Sequence, residues 1–157
     1  MSLKPILYAE DDENDTFFLQ RAFKQAGISH PLVTLSDGQE AIDYCLGRGL
    51  YTDRIEHPLP CLFLLDLNMP KKTGLEVLKS IRAEPSVRIL PVIFLTSSLQ
   101  DSDIHRAYLN GANAYLAKPS QPEALVVMAK AIQDFWLSQN RLPKNPPDLW
   151  DASSKSH

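Results

Sequence analysis

Residues 61–70 read Cys61-Leu62-Phe63-Leu64-Leu65-Asp66-Leu67-Asn68-Met69-Pro70. An apolar run bounded by turn residues reads as a strand buried on both faces, the kind found in parallel sheets. This one ends in a carboxylate at its own C-terminal edge, where open α/β sheets bind ligands. An ionised carboxylate placed there needs a metal or another cation as partner.

Working outward, apolar runs alternate with helix-period segments, the βαβ pattern of a parallel sheet. Pro5 to Ala9 is a first strand ending in Glu10-Asp11-Asp12. Helix 1 follows with Asn14 or Asp15 as cap, buries Leu19, Ala22, Phe23 and Ala26, and stops at Gly27. Leu32 to Leu35 is a second strand, and Asp37 caps a helix with Ile42, Cys45 and Leu46 inside. Gly47 to Pro60 reads as a surface loop. Helix 3 carries Leu75, Leu78 and Ile81, and Pro91 to Leu95 is strand 4. Helix 4 starts near Asp101 with Ile104, Ala107 and Tyr108 on one face, and strand 5 runs from Ala114 to Ala117. Ser120-Gln121-Pro122-Glu123 has the form of a capping box opening helix 5. The expected fold is α/β: a doubly wound five-stranded parallel sheet with helices on both faces. The flavodoxin-like strand order 2-1-3-4-5 is adopted as the common one at this size; the residues themselves do not derive it.

The bulk numbers narrow the function classes. A length of 157 residues predicts one domain. We place it at residues 1–142, with 143–157 a proline-rich tail expected to be poorly ordered. A net charge of -3 gives no basic field for nucleic acid or anionic membrane. The N-terminal residues carry no signal-peptide pattern, and no stretch is long enough to span a bilayer, so the chain is expected in the cytoplasm. Cys45 and Cys61 lack ligand spacing and are read as buried thiols.

Four strands end in groups that can work together: Glu10 and Asp11, Asp66, Thr96, and Lys118. In a parallel sheet these ends share one edge. Carboxylates packed together repel unless one is protonated or a cation sits among them. Oxygen ligands without His or Cys suit a hard ion such as Mg²⁺, with Mn²⁺ as an alternative. With a metal bound, Asp66 can act as a nucleophile toward phosphorus. Lys118 and the Thr96 hydroxyl are placed to steady the transferring oxygens.

Taken in order, Glu10-Asp11, Asp66 in Leu65-Asp66-Leu67-Asn68-Met69-Pro70, Gly74, Thr96-Ser97 and Lys118-Pro119 resemble the signature of response-regulator receiver domains, over about residues 4–137. The resemblance implies that Asp66 accepts phosphate from the phosphohistidine of a histidine kinase. It implies that Asp11, Asp66 and the Asn68 backbone carbonyl bind Mg²⁺, with Glu10 acting through water, and that Lys118-Pro119 is cis. It further implies a switch made of Thr96 and Tyr115, which changes the face formed by helix 4, strand 5 and helix 5. The long loop before strand 3, Lys71-Lys72-Thr73-Gly74, and Phe135-Trp136-Leu137 are similar to single-domain regulators paired with bacterial and cyanobacterial phytochrome kinases.

Helix 5 carries two apolar stripes: Leu125, Met128, Ala129, Ile132 and Trp136, and also Ala124, Val127, Ala131 and Phe135. A surface helix on a sheet needs one. The second suggests an interaction face of Tyr108, Tyr115, Val127, Ala131 and Phe135 in a homodimer, unless the tail from Pro143, through Leu149 or Trp150, covers it. The reading is a stand-alone phosphorylatable switch that is not an enzyme in the ordinary sense. It signals by protein contact or relays the phosphoryl group to another protein. Its rivals are an adaptor that works without phosphorylation and an aspartate-nucleophile phosphatase. The latter wants a second Asp where this chain has Asn68.

Overall fold

The computed structural model describes residues 3–143. The elements are β1 (Ile6–Ala9), α1 (Glu13–Gln25), β2 (Leu32–Leu35), α2 (Gly38–Leu46), β3 (Leu62–Leu65), α3 (Gly74–Ala83), β4 (Val92–Thr96), α4 (Asp101–Leu109), β5 (Ala114–Ala117) and α5 (Pro122–Asp134). The five strands form one sheet in the order β2-β1-β3-β4-β5, and every pairing is parallel. This is the expected fold and order.

The apolar strands are buried because helices cover both faces. Side chains alternate along a strand, so Leu7 and Ala9 of β1 join one cluster while Ile6 and Tyr8 join the other. The first cluster is completed by Ala41, Ile42 and Cys45 of α2, Val77, Leu78 and Ile81 of α3, and Ala107 of α4. The second is completed by Leu19, Ala22 and Phe23 of α1 and Leu125, Ala129 and Ile132 of α5. Both stripes of α5 behave as their spacing predicts: one is packed against the sheet, while Val127 and Phe135 remain 67% and 52% exposed.

Several local expectations are corrected. Asp12 is the cap of α1, accepting from the backbone N–H of Asn14 and Asp15, so neither Asn14 nor Asp15 fills that place. The box at Ser120 does not form: α5 starts after Gln121 without a side-chain cap, with Pro122 in its first turn. Proline's fixed φ and missing N–H suit that position and set the boundary instead. No cis peptide occurs among the described residues, so Lys118-Pro119 is trans, the favoured isomer even before proline. Cys45 is buried, but Cys61 is half-buried, because β3 begins one residue later and leaves it at the open N-terminal edge of the sheet. Tyr108 lies exposed outside the inner face of α4, where Ala107 is the buried residue.

The segment between α2 and β3 is less free than a loop reading suggests. It contains a 3₁₀ turn at Gly49–Tyr51. Arg54 pins it by donating to the carbonyls of Cys45 and His57, and Tyr51 donates to Glu40 Oε1 at 2.5 Å. After α5 the chain continues through a π turn, Phe135–Gln139. The tail expected to be poorly ordered, with Leu149 and Trp150, lies outside the described residues, apart from Pro143.

Candidate functional site: an acidic edge around Asp66

Strand register assembles the site. Ala9 pairs with Leu65, so the next residues, Glu10 and Asp66, leave the sheet side by side. Thr96 pairs with Ala117, which brings Lys118 alongside. Backbone bonds continue the ladder past the strand ends: Asp66 N–H donates to Ala9 O at 3.1 Å, Glu10 N–H to Leu35 O at 2.9 Å and Lys118 N–H to Thr96 O at 2.8 Å. The groups are thus held by the backbone pairing of the sheet itself. Glu10, Asp66 and Thr96 are only 4%, 7% and 1% exposed, whereas Asp11 and Asn68 face solvent.

Two glycines let the chain fold closely around Asp66. A Cβ on Gly74 would collide with the Asp66 carbonyl and the Phe94 ring, and one on Gly38 would collide with the Lys72 carbonyl. The segment after Asp66 therefore presses against the starts of α3 and α2. It turns at Lys71, which adopts φ 69°, a conformation uncommon for a side-chain-bearing residue. Lys71 Nζ lies 3.4 Å from Asp37, the cap of α2.

Lys118 is the cationic centre. Its ammonium donates to Glu10 Oε1 at 2.5 Å and to Asp15 Oδ2 at 2.9 Å, and it lies 3.6 Å from Asp66 Oδ2. The other oxygen, Asp66 Oδ1, accepts from the Leu67 backbone N–H at 2.8 Å. Oxygens of Glu10, Asp11 and Asp66 fall within 4.8 Å of one another. Burial, reinforced by Asp66 and Asp15, pushes Glu10 from its ordinary 4.5 up to about 9, against the opposing pull of Lys118. Burial pulls Lys118 down, but its bonds to Glu10 and Asp15 and the field of Asp66 outweigh this and raise it to about 12. Glu10 Oε2 is buried and lacks a hydrogen-bond partner. An orphaned acceptor, two further carboxylates and no nitrogen or sulfur donor make a set that fits a hard divalent ion.

Thr96 and Tyr115 are linked here through the β4–α4 connection. Tyr115, half-buried, packs against Phe94 with ring centroids 6.0 Å apart and donates to Ser98 O at 2.9 Å. Thr96 Oγ1 accepts from Ser98 N–H at 3.3 Å. Ser98 Oγ donates to Asp103 Oδ2 at 2.6 Å, so Thr96, Tyr115 and α4 are joined through one residue. Val127, Ala131, Phe135 and Tyr108 are exposed, whereas Tyr115 is half-buried with its hydroxyl bonded to Ser98 in the β4–α4 connection.

Of the residues expected at this edge, Glu10, Asp11 and Asp66 form one acidic group, Lys118 lies against Glu10 and Asp66, and Thr96 pairs beside Lys118 at the strand end; Asp15 was not among those expected. That residue reads as a helix-start acid. Its sequence position does not set it apart from the other acids at the start of α1; the approach of Lys118 does.

Residues 6–130 match the response regulator receiver domain family. The chain belongs to that family. Phosphorylation on Asp is the family's general mechanism. Response regulator Rcp1 of Synechocystis is 38% identical over 140 residues, covering 89% of this receiver and 93% of Rcp1. The crystal structure of Mn²⁺-bound Rcp1 superposes with a TM-score of 0.80 over 90% of this receiver and 99% of that chain. The phosphorylated cyanobacterial phytochrome response regulator RcpA gives a TM-score of 0.84 at 36% identity, covering 91% of this receiver and all of RcpA. The probable methanogenesis regulatory protein FilR2 of Methanothrix harundinacea is also 38% identical, over 141 residues, 88% of this receiver and 86% of FilR2.

Proposed function

We propose that Asp66 is the phosphoacceptor of a two-component response regulator and takes its phosphoryl group from the phosphohistidine of a sensor histidine kinase. The observation that carries this is a buried Asp66 whose carboxylate lies 3.6 Å from Lys118 and is grouped with those of Glu10 and Asp11. An Asp66 Oδ forms the new P–O bond as the P–N bond to the donor imidazole breaks, and the imidazole takes up a proton. The same carboxylate later loses the group to water or passes it to another protein. Glu10, Asp11, Asp66 and the Asn68 backbone carbonyl would hold Mg²⁺, or Mn²⁺ by likeness to Rcp1. Such an ion supplies positive charge against the phosphoryl oxygens. Lys118 and Thr96 steady the remaining oxygens.

The receiver works beside its kinase in the cytoplasm, turns over only its own acyl phosphate, and acts as a switch without being an enzyme on external substrates. Likeness to RcpA supports a phytochrome as the sensor. Output passes from Thr96 through Tyr115 to the face of α4, β5 and α5. The exposed Val127, Ala131 and Phe135 there support a homodimer.

Incubation with Mg²⁺ and acetyl phosphate, followed by intact mass measurement, tests the reading. The expected result is one phosphate adduct that is absent from Asp66→Ala. Failure to form an adduct with any donor or metal supports an adaptor instead, and rapid turnover of external phosphoesters supports a phosphatase.

A further inference from the structure

Lys118 has more anionic partners than a single phosphoacceptor accounts for. An ammonium has three N–H donors. Two are taken, by Glu10 Oε1 at 2.5 Å and Asp15 Oδ2 at 2.9 Å, and Asp66 Oδ2 stands further off at 3.6 Å. Asp15 belongs to the first turn of α1, not to the sheet edge. Its carboxylate is half-exposed while the lysine is largely buried. It also lines, with Tyr8, Phe18 and Pro119, a cavity on the α1–α5 side of Lys118. Asp15 therefore approaches the ammonium from the α1 side, next to Glu10. Glu10 has a second use, since it is one of the three carboxylates whose arrangement fits a divalent ion. Asp15 is not among the three carboxylates of that site.

We propose that Asp15 is a positioning residue for phosphoryl transfer: it holds the Lys118 ammonium by one hydrogen bond so that a free N–H remains directed to the phosphoryl group on Asp66. The role rests on the phosphoacceptor reading and adds a residue to it. A flexible four-carbon lysine stem has many rotamers. Without a fixed acceptor on the α1 side, the ammonium keeps only Glu10 as a close partner and is free to swing into the adjoining cavity. Holding it in place supplies orientation before the donor arrives, which is where placement by a remote group acts on rate.

The test compares Asp15→Ala and Asp15→Asn at saturating Mg²⁺ and saturating acetyl phosphate, reading the maximal rate of adduct formation on Asp66 by intact mass. Asn keeps an oxygen acceptor but loses the charge. Positioning by a hydrogen bond predicts that Ala slows the reaction about tenfold, less than loss of a direct oxyanion donor, while Asn stays within about threefold of wild type. Thermal melts of both variants check that each is folded. The inference is overturned if Ala matches wild type, if Asn is as slow as Ala (a charge effect, including the helix dipole), or if either variant is faster than wild type. Wild-type protein that forms no adduct at all refutes the phosphoacceptor reading itself; a normal wild type with an unaffected Asp15→Ala refutes only the role of Asp15.

Discussion

Glu10 couples folding to pH. Its carboxyl is raised by burial, Asp66 and Asp15 from 4.5 to about 9. The folded chain therefore holds a proton more tightly than the unfolded chain does. Between those two values the native state binds more protons, so stability falls as pH rises. The melting temperature of metal-free protein is expected to decline steadily from about pH 5 to pH 9, and Glu10→Gln to flatten that decline. A divalent ion has to displace the same proton, so Mg²⁺ affinity, measured by calorimetry, is expected to rise with pH over the window. At this scale the sequence spoke clearly wherever a polar residue follows an apolar strand, because the strand itself fixes where Glu10, Asp66, Thr96 and Lys118 go. It was ambiguous at Asp12 and Asp15, since carboxylates at a helix start serve equally as caps and as ion-pair partners. Only the register that brings Lys118 to α1 separates those roles.

Between elements, Arg82 binds the C-terminal end of α3 to its neighbours. All five of its N–H donors are used, on the carbonyls of Arg88, Leu90 and Gly111 and on Asn113 Oδ1. A lysine has neither the fork nor the donor count. Arg82→Lys is expected to cost on the order of 2–4 kcal/mol in urea unfolding, from lost bonds of roughly 1.5–3 kcal/mol each to a charged group. Gly74 governs the connection after β3. Gly74→Ala drives a methyl into the Asp66 carbonyl and Phe94, with an expected loss of about 1–3 kcal/mol and slower adduct formation on Asp66. Element type was legible from periodicity, and Asp37 as the cap of α2 was read correctly. The start of α5 was not, because Ser120 and Pro122 offer competing boundaries and the proline's geometry prevails. The Arg82 ties were invisible in sequence: its partners are backbone carbonyls, which carry no residue-type signal.

At the scale of the whole molecule, the unburied side of α5 is where a second copy is expected to sit. Sedimentation at micromolar concentration is expected to give a dimer, and Phe135→Glu a monomer, with adduct formation on Asp66 retained in both. A wild type that stays monomeric at high concentration, phosphorylated or not, removes the dimer from the mechanism. The strand order was supplied by the commonest arrangement of this size, since alternating strands and helices are compatible with several windings. The site itself draws on residues from Glu10 to Lys118, at the ends of β1, β3, β4 and β5, which meet only when those four strands are aligned. Chemical competence is therefore a late event in the life of each copy. A chain still emerging from the ribosome before β5 lacks its ammonium, and a copy in which β1 and β3 are not paired has its carboxylates apart. Unfinished and damaged copies therefore lack the assembled edge, and only completed ones carry it.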